Sequence, residues 1–307
     1  MTPPQVERTP ARPGPGPVPD ALLRALDLEV RRRAEGLLAG DYRSSALGVG
    51  TELAQVRPYQ PGDDVRQIDW NVTARTDVPH VRIQIAERAL VTWLVLDTSP
   101  SMAFGTADRR KADVAEGVAL ALGHIASRRG NRLGLVTFGD RDPTALPPRQ
   151  GRTGLLGVLL RLRREPETKA VGATSLGEAL GRAGRYARQR ALVIVVSDFR
   201  GPRDWRRPLL ELAGRHDVVA VEIRDPREQE LPNVGDLWLV DPETGRQLRV
   251  DTARRTLRER FAAAAAAERE ELAQSLRSAG VDHVVLSTSG DWLRLLAGFL
   301  GRRGARR

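Results

Sequence analysis

Residues 90–101 read LVTWLVLDTSPS, an apolar run that ends in a carboxylate and three hydroxyl-bearing side chains. An unbroken run of large apolar and β-branched residues is typical of a strand that is buried on both faces. Strands of this kind belong to parallel sheets, because antiparallel sheets with one wet face alternate apolar and polar residues. The stretch therefore predicts an α/β fold with polar side chains at the carboxyl end of a central strand.

The rest of the chain repeats this rhythm of apolar runs and helical spacing. Further strands are predicted at 133–138, 192–196, 218–223 and 281–286. Helices are predicted at 111–127, 154–162, 176–188, 205–212, 253–278 and 291–300, with a hairpin at 237–250 around the turn 243–245 and a proline-rich loop after residue 138. Such alternation implies a mostly parallel sheet with helices on both faces.

Composition shifts along the chain predict four segments. Residues 1–18 are proline-rich and nearly devoid of apolar side chains, so we expect a disordered tail. Residues 19–88 are expected to form a helix and an irregular segment packed on the main domain, 89–301 to form the α/β domain, and 302–307 to be a basic tail.

The composition also excludes several classes of protein. The chain has 307 residues and no cysteine, so disulfides, thiolate metal sites and cysteine nucleophiles are impossible. No apolar stretch approaches the roughly 18 residues that a membrane-spanning helix needs, and the N-terminus lacks a signal-peptide pattern. We expect a soluble, cytoplasmic protein with no membrane partner.

Polar side chains follow two of the predicted strands, and a third group precedes a helix. Asp97, Ser99 and Ser101 follow the strand at 90–96, Asp198 follows the strand at 192–196, and Thr174 lies in the loop before a helix. In open parallel sheets, ligands bind beyond the carboxyl ends of the strands. Hydroxyl and carboxylate oxygens suit a hard cation, so these residues predict a site for Mg²⁺ (or Mn²⁺ or Ca²⁺) with one open coordination position.

An isolated D-x-S-x-S string is more often a helix cap or a turn. Its position after a buried strand, together with Thr174 and Asp198, favours the metal interpretation. This set resembles the metal-ion-dependent adhesion site of von Willebrand factor A domains. The resemblance implies that Ser99, Ser101 and Thr174 contact the metal, while Asp97 and Asp198 hold it directly or through water.

A second resemblance lies upstream. Residues 57–75, RPYQPGDDVRQIDWNVTAR, resemble the hallmark of the bacterial domain-of-unknown-function family fifty-eight. The resemblance extends from about Gly50 to the last helix and implies a von Willebrand factor A-like (Rossmann-like) domain. It also implies a MoxR-type AAA+ ATPase as partner and a chaperone-like role in the assembly or maturation of client proteins. Many members carry two N-terminal membrane helices, which are not found in this sequence.

The hallmark also has a direct physical interpretation. The Pro61-Gly62 pair predicts a tight turn. Around it we expect a charged, hydrogen-bonded network anchored by two aromatic residues; its members are Asp63, Asp64, Arg66, Asp69 and Arg75, with Tyr59 and Trp70 as anchors. This network either fixes the N-terminal segment on the domain or forms a recognition surface for an ATPase.

Two other functions are weighed against an interaction module. The chain has no phosphate-binding loop, G-x-S-x-G elbow or H-E-x-x-H motif, so no catalytic residue is predicted. A magnesium-dependent phosphoester hydrolase built on Asp97 and Asp198 remains the alternative, although no general base stands out. Nucleic-acid binding is less favoured, because arginine clusters at 31–33, 161–164 and 302–307 occur with few aromatic side chains.

Two further sequence features bear on partners. Residues 225–228 and 230–232 follow another strand end, and we expect a solvated acidic loop there. The net charge is +10, and the residues 128–190 hold 14 basic and 5 acidic side chains, a net +9. Genomic bias explains the choice of arginine, since only two of the 49 basic residues are lysines. The clustering predicts a basic surface near the metal site that steers an acidic partner, with Arg161, Arg163 and Arg164 among its residues.

Overall fold

A computed structural model describes residues 52–85, 91–128, 131–139, 144–150 and 175–304. The predicted tail 1–18, the helices at 19–38 and 154–162, the residue Thr174 and the arginines 161–164 lie outside these ranges. The described residues fall into two compact units, of which one holds residues 52–85 and the other holds the described residues from 91 onward.

The smaller unit is an antiparallel strand pair with one short helix, which corrects the prediction of an irregular segment there. Strand β1 (Glu52–Pro58) pairs with β2 (His80–Ile85), and helix α1 (Trp70–Thr76) lies between them in sequence. The predicted turn at Gly62 is confirmed, since its φ is +107° and Asp63 N donates to Gln60 O at 3.0 Å.

The charges of this unit form two separate ion pairs instead of the single predicted network. Arg57 binds Asp63 with Nη2–Oδ1 at 2.7 Å, and Arg82 binds Asp69 with Nε–Oδ2 at 2.9 Å. Asp69 also caps α1, and the next residue, Trp70, is 71% exposed. The prediction that Trp70 anchors the network is therefore wrong.

The larger unit contains a six-stranded sheet with the order β10-β7-β6-β3-β4-β5. Its strands are β3 (Val91–Asp97), β4 (Arg132–Phe138), β5 (Ala145–Gln150), β6 (Leu192–Ser197), β7 (Asp217–Arg224) and β10 (Asp282–Ser287). All neighbours pair in parallel except β4 and β5. The predicted α/β class with a mostly parallel sheet is confirmed.

Strand β5 corrects one prediction. The proline-rich stretch after residue 138 was expected to be a loop, yet Ala145–Gln150 pairs antiparallel with β4 despite Pro147 and Pro148. Proline cannot donate to a ladder, so it is tolerated on an edge strand whose outer side has no partner. The sheet order places β5 at such an edge.

Helices cover both faces of the sheet. The helices are α2 (Lys111–Arg128), α3 (Leu176–Tyr186), α4 (Arg206–Ala213), α5 (Arg255–Ser278) and α6 (Trp292–Gly304). Trp93 and Val95 of β3 pack in one cluster with α3 and α4. Leu94 and Leu96 point the other way, as alternation along a strand requires, and they too are fully buried.

The remaining elements agree with the sequence, with one extension. Strands β8 (Asp236–Val240) and β9 (Gln247–Asp251) form the predicted hairpin. Helix α6 continues to Gly304, so residues 302–304 of the predicted basic tail are helical. Within the described ranges, no helix combines the length and apolarity needed to cross a membrane.

Candidate metal centre

The candidate metal centre lies at the carboxyl ends of two neighbouring strands. Asp97 is the last residue of β3, and Asp198 follows β6 directly. The two strands are adjacent and parallel, with Leu96 beside Val196. Their carboxyl ends therefore lie at one edge of the sheet, where ligands of such folds bind.

The loop after β3 holds two hydroxyl groups together. Thr98 fixes this loop, because its backbone N and its Oγ1 both donate to Phe138 O, at 2.9 and 2.8 Å. A short 3-10 turn, Pro100–Ala103, follows, and the Oγ atoms of Ser99 and Ser101 lie 2.9 Å apart. Gly139 packs against this loop: its φ is +82°, and a Cβ there would lie 2.6 Å from Ser99 Cβ. Only glycine fits both conditions.

The carboxylate of Asp97 is buried, and the hydrogen bonds it accepts come from neutral groups. Its side chain accepts hydrogen bonds from Ser99 N at 2.9 Å and from Ser197 Oγ at 2.5 Å, and the residue is 6% exposed. No basic side chain pairs with it in the described part of the chain. Burial, followed by the charge of Asp198, raises the pKa of Asp97 to about 7. A bound cation would supply the missing countercharge, and the neighbouring hydroxyls are suitable ligands, so these residues fit Mg²⁺.

Asp198 differs from Asp97 because it already has a countercharge. Lys111 Nζ donates to Asp198 Oδ2 at 2.5 Å and to Glu228 Oε1 at 2.7 Å. Lys111 is fully buried at the start of α2; burial lowers its pKa, but the two carboxylates outweigh that effect and raise it. The other oxygen of Asp198 accepts from Arg200 N at 2.9 Å. Asp198 therefore lies beside the predicted centre, with its carboxylate engaged by lysine.

The structure also corrects the predicted acidic loop. Asp225 is fully buried instead of solvated, and it accepts from Thr106 N at 2.7 Å, Thr106 Oγ1 at 2.6 Å and Thr288 Oγ1 at 2.7 Å. It thereby ties together the segments that follow β3, β7 and β10. Glu228, three residues later, turns inward to Lys111. The D-x-x-E spacing of a capping box, which these two residues form, was the signal available in the sequence.

A further carboxylate reaches the site from the hairpin. Glu243 Oε1 accepts a hydrogen bond from Ser101 N at 3.0 Å, although 142 residues separate them. Asp241 shapes the hairpin tip, because it accepts from Glu243 N at 3.0 Å. Periodicity predicts the hairpin but not where its tip lies, so no sequence signal could place Glu243 here.

The structure thus brings together three of the five predicted site residues, Asp97, Ser99 and Ser101, with Asp198 beside them. Thr174 lies outside the described residues. Within those residues, no group of three or more acidic or histidine side chains is placed to hold a metal ion. The candidate centre instead relies on hydroxyl ligands and one carboxylate.

The described residues thus define an α/β protein with serine hydroxyls and a buried carboxylate at the carboxyl ends of its parallel strands. The family follows from the sequence: residues 55–271 match the model described as "Protein of unknown function DUF58". The chain belongs to this family, as its hallmark predicted.

The chain also resembles several mycobacterial proteins. It is 43% identical over 289 residues to uncharacterized proteins of Mycobacterium tuberculosis and Mycobacterium bovis, covering 93% of this chain and 90% of each relative. A shorter uncharacterized protein of Mycobacterium avium is 39% identical over 166 residues, covering 53% of this chain and 96% of that protein.

Solved structures show weaker likenesses. The conserved hypothetical protein BatB of Bacteroides thetaiotaomicron aligns with a TM-score of 0.47 and 16% identity, covering 71% of this chain and all of that one. The SpRpn10 VWA domain aligns with a TM-score of 0.38 and 16% identity, covering 68% and 94%. The fold assignment rests on the strand order and parallel pairing of the six-stranded sheet.

Proposed function

We propose that this protein is a metal-dependent protein-interaction adaptor with a von Willebrand factor A-like adhesion site. The observation that carries the proposal is the buried carboxylate of Asp97, which no described basic side chain neutralises, next to the paired hydroxyls of Ser99 and Ser101. These three residues would hold Mg²⁺, or Mn²⁺ or Ca²⁺, with Thr174 as a further predicted ligand. The bound metal would act as a Lewis acid for a carboxylate oxygen of the partner.

Lys111 compensates the charge of one of the two carboxylates at the site. Two carboxylates at neighbouring strand ends repel each other, and the ammonium group neutralises that of Asp198. The Asp97 side is left for the cation and for an Asp or Glu of the client protein. Membership of the family makes a MoxR-type AAA+ ATPase the first partner to test, in a chaperone-like assembly or maturation of clients.

The hydrolase alternative gains no support from this geometry. A general base must have a free lone pair within reach of a water molecule. The Lys111 ammonium has no lone pair, and Asp198 and Glu228 raise its pKa, so it stays protonated and cannot take a further proton. Magnesium-dependent turnover of a phosphoester by the purified chain would favour the hydrolase instead.

The adaptor proposal is tested by co-purification of the chain with the candidate ATPase and with lysate proteins. The test uses the Asp97→Asn variant and not a chelator, because a chelator would also remove the magnesium that an ATPase needs. We expect Asp97→Asn to lose the partners that the wild type retains. The matched control is Asp236→Asn, at an exposed position on the hairpin. Recovery of the same partners by Asp97→Asn would contradict the proposal.

Glu243 is expected to compete with the partner's carboxylate, because it binds the backbone of Ser101 within the same site. Removing a competitor held by one charge-assisted hydrogen bond should raise partner affinity about fivefold, or about 1 kcal/mol. The measurement is the Kd of the complex for Glu243→Ala. Glu230→Ala, at an exposed acidic residue outside the site, is the control. An affinity equal to or below that of the wild type would show that Glu243 does not compete.

A further inference from the structure

The tip of the β8–β9 hairpin holds Glu243 on a closed turn. Asp241 accepts hydrogen bonds from Glu243 N at 3.0 Å and from Thr244 Oγ1, and Gly245 N donates to Asp241 O at 2.8 Å. Gly245 has a φ of +71°, which glycine adopts without strain. The backbone that carries Glu243 is therefore fixed by the tip itself, before any contact with the rest of the domain.

The root of the hairpin is anchored in the core. Thr252 is fully buried, and its N and Oγ1 both donate to Gly235 O at 2.7 Å, while Val234 N donates to Thr252 Oγ1 at 3.0 Å. One face of the arms is open to solvent, since Trp238 and Val240 are 52% and 55% exposed. The tip can therefore leave the metal loop without disturbing the root.

The contact between the tip and the metal loop has a structural explanation, but only for part of it. Ser101 N belongs to the 3-10 turn Pro100–Ala103, whose N-cap residue, Ser99, makes no side-chain capping bond. Glu243 Oε1 accepts from Ser101 N and so serves as the cap from a distance. Capping needs an acceptor oxygen and not a charge, because serine and asparagine cap as well as aspartate does. The negative charge of Glu243 is left unexplained.

That charge matches what the metal centre lacks. Asp97 and Glu243 both reach the loop 97–101, and neither has a basic partner within the described ranges. Their two negative charges equal the charge of one divalent cation, and the hydroxyls of Ser99 and Ser101 add neutral oxygens. Mg²⁺ sites in proteins commonly use one or two carboxylates. The nitrogen of Ser101 that binds Glu243 is three bonds from the Oγ of the same residue, so Glu243 lies at the site.

We propose that Glu243 is itself a ligand of the metal, so that the chain's own hairpin fills the coordination position that the adaptor offers to a partner. This inference rests on the proposed function, because it needs the metal at Asp97. Oε1 is used by Ser101 N, whereas Oε2 accepts no hydrogen bond from the described residues and is available to the cation. A partner carboxylate then has to displace Glu243, so the same residue strengthens metal binding and weakens partner binding.

Titration of the full chain with Mn²⁺, followed by the loss of the free-ion signal in electron paramagnetic resonance, tests this inference. We expect the wild type to bind one Mn²⁺ and Glu243→Gln to bind it at least about tenfold more weakly, since a charged ligand becomes neutral. The glutamine oxygen still accepts from Ser101 N, so a role in capping alone leaves the Mn²⁺ affinity unchanged. The control, Glu211→Gln, removes an exposed carboxylate from α4 and should bind Mn²⁺ like the wild type.

Hydrogen exchange of the hairpin amides, residues 236–251, gives a second readout on the same proteins. Without metal, the wild type and Glu243→Gln should exchange at the same rate, because both keep the bond to Ser101 N. Mn²⁺ should slow exchange in the wild type by holding the tip, and it should leave exchange in Glu243→Gln unchanged.

The outcomes separate this inference from the proposed function. Mn²⁺ binding by Glu243→Gln as tight as that of the wild type, or hairpin exchange in the wild type that does not respond to Mn²⁺, would overturn the inference. The adaptor proposal would still stand in that case if Asp97→Asn loses the ion. Binding of no Mn²⁺ by the wild type, or equal binding by Asp97→Asn, would overturn both.

Discussion

Asp97→Asn is expected to abolish the stabilisation of this protein by magnesium while making the metal-free protein more stable. A ligand at 100 times its Kd stabilises a folded protein by about 2.7 kcal/mol, and the variant should lose this gain. Without metal, the wild type buries the Asp97 carboxylate with no countercharge from the described residues. Replacing that buried charge by a neutral group of similar shape removes the cost of burying it, so the metal-free variant should be the more stable protein.

The two expected effects have opposite signs: the variant should be more stable than the wild type in EDTA, and it should lose the stabilisation by magnesium. Asparagine can still accept from Ser99 N and can donate to Ser197 Oγ, so the loop geometry is preserved. The measurement is urea unfolding of both proteins in EDTA and in magnesium, with Asp236→Asn as the control. A variant that is less stable in EDTA, or that still responds to magnesium, would contradict the role assigned to Asp97.

Lys111→Met is expected to destabilise the fold by about 3–5 kcal/mol, because it leaves the buried Asp198 without its cation and Glu228 with only Arg200, whose Nε lies 3.8 Å from Oε1. The lysine is fully buried and bonded to both Asp198 and Glu228. Methionine preserves most of the packing of the stem, so the loss reports the charge. Lys111→Arg should also destabilise, since the larger guanidinium has no space at a position of zero exposure.

The triple variant Lys111→Met/Asp198→Asn/Glu228→Gln is the matched control for this prediction. It removes the cation and both carboxylates together and should recover most of the lost stability, because no unpaired charge remains. Unfolding free energies of the three proteins in urea give the comparison. A Lys111→Met variant within about 1 kcal/mol of the wild type would show that the lysine does not stabilise the strand ends.

The sheet could be predicted because its strands are buried on both faces. Apolar runs such as 90–96 and 192–196 are best explained as buried strands, because segments with helical spacing separate them. Parallel pairing then places Asp97 and Asp198 at one edge, so the core of the candidate site also follows from the sequence. The edge strand β5 was missed, because two prolines in six residues are more typical of a loop.

The charged partners of the site could not be predicted from local patterns. Lys111, Glu228 and Glu243 reach the strand ends from a helix, a 3-10 turn and a hairpin. Contacts between residues more than a hundred positions apart in sequence depend on how the connecting loops fold back onto the sheet. One signal was present: Lys111 is one of two lysines in a chain that otherwise uses arginine, and this position requires a compact ammonium.

The most direct test of the central claim is an anomalous difference map from crystals of the full chain grown with Mn²⁺. The proposed function predicts one strong peak bonded to the Asp97 carboxylate and to the hydroxyl oxygens of Ser99 and Ser101. Crystals of Asp97→Asn under the same conditions should lack the peak. A map with no peak at these three residues in the wild type would contradict a metal-dependent adhesion site.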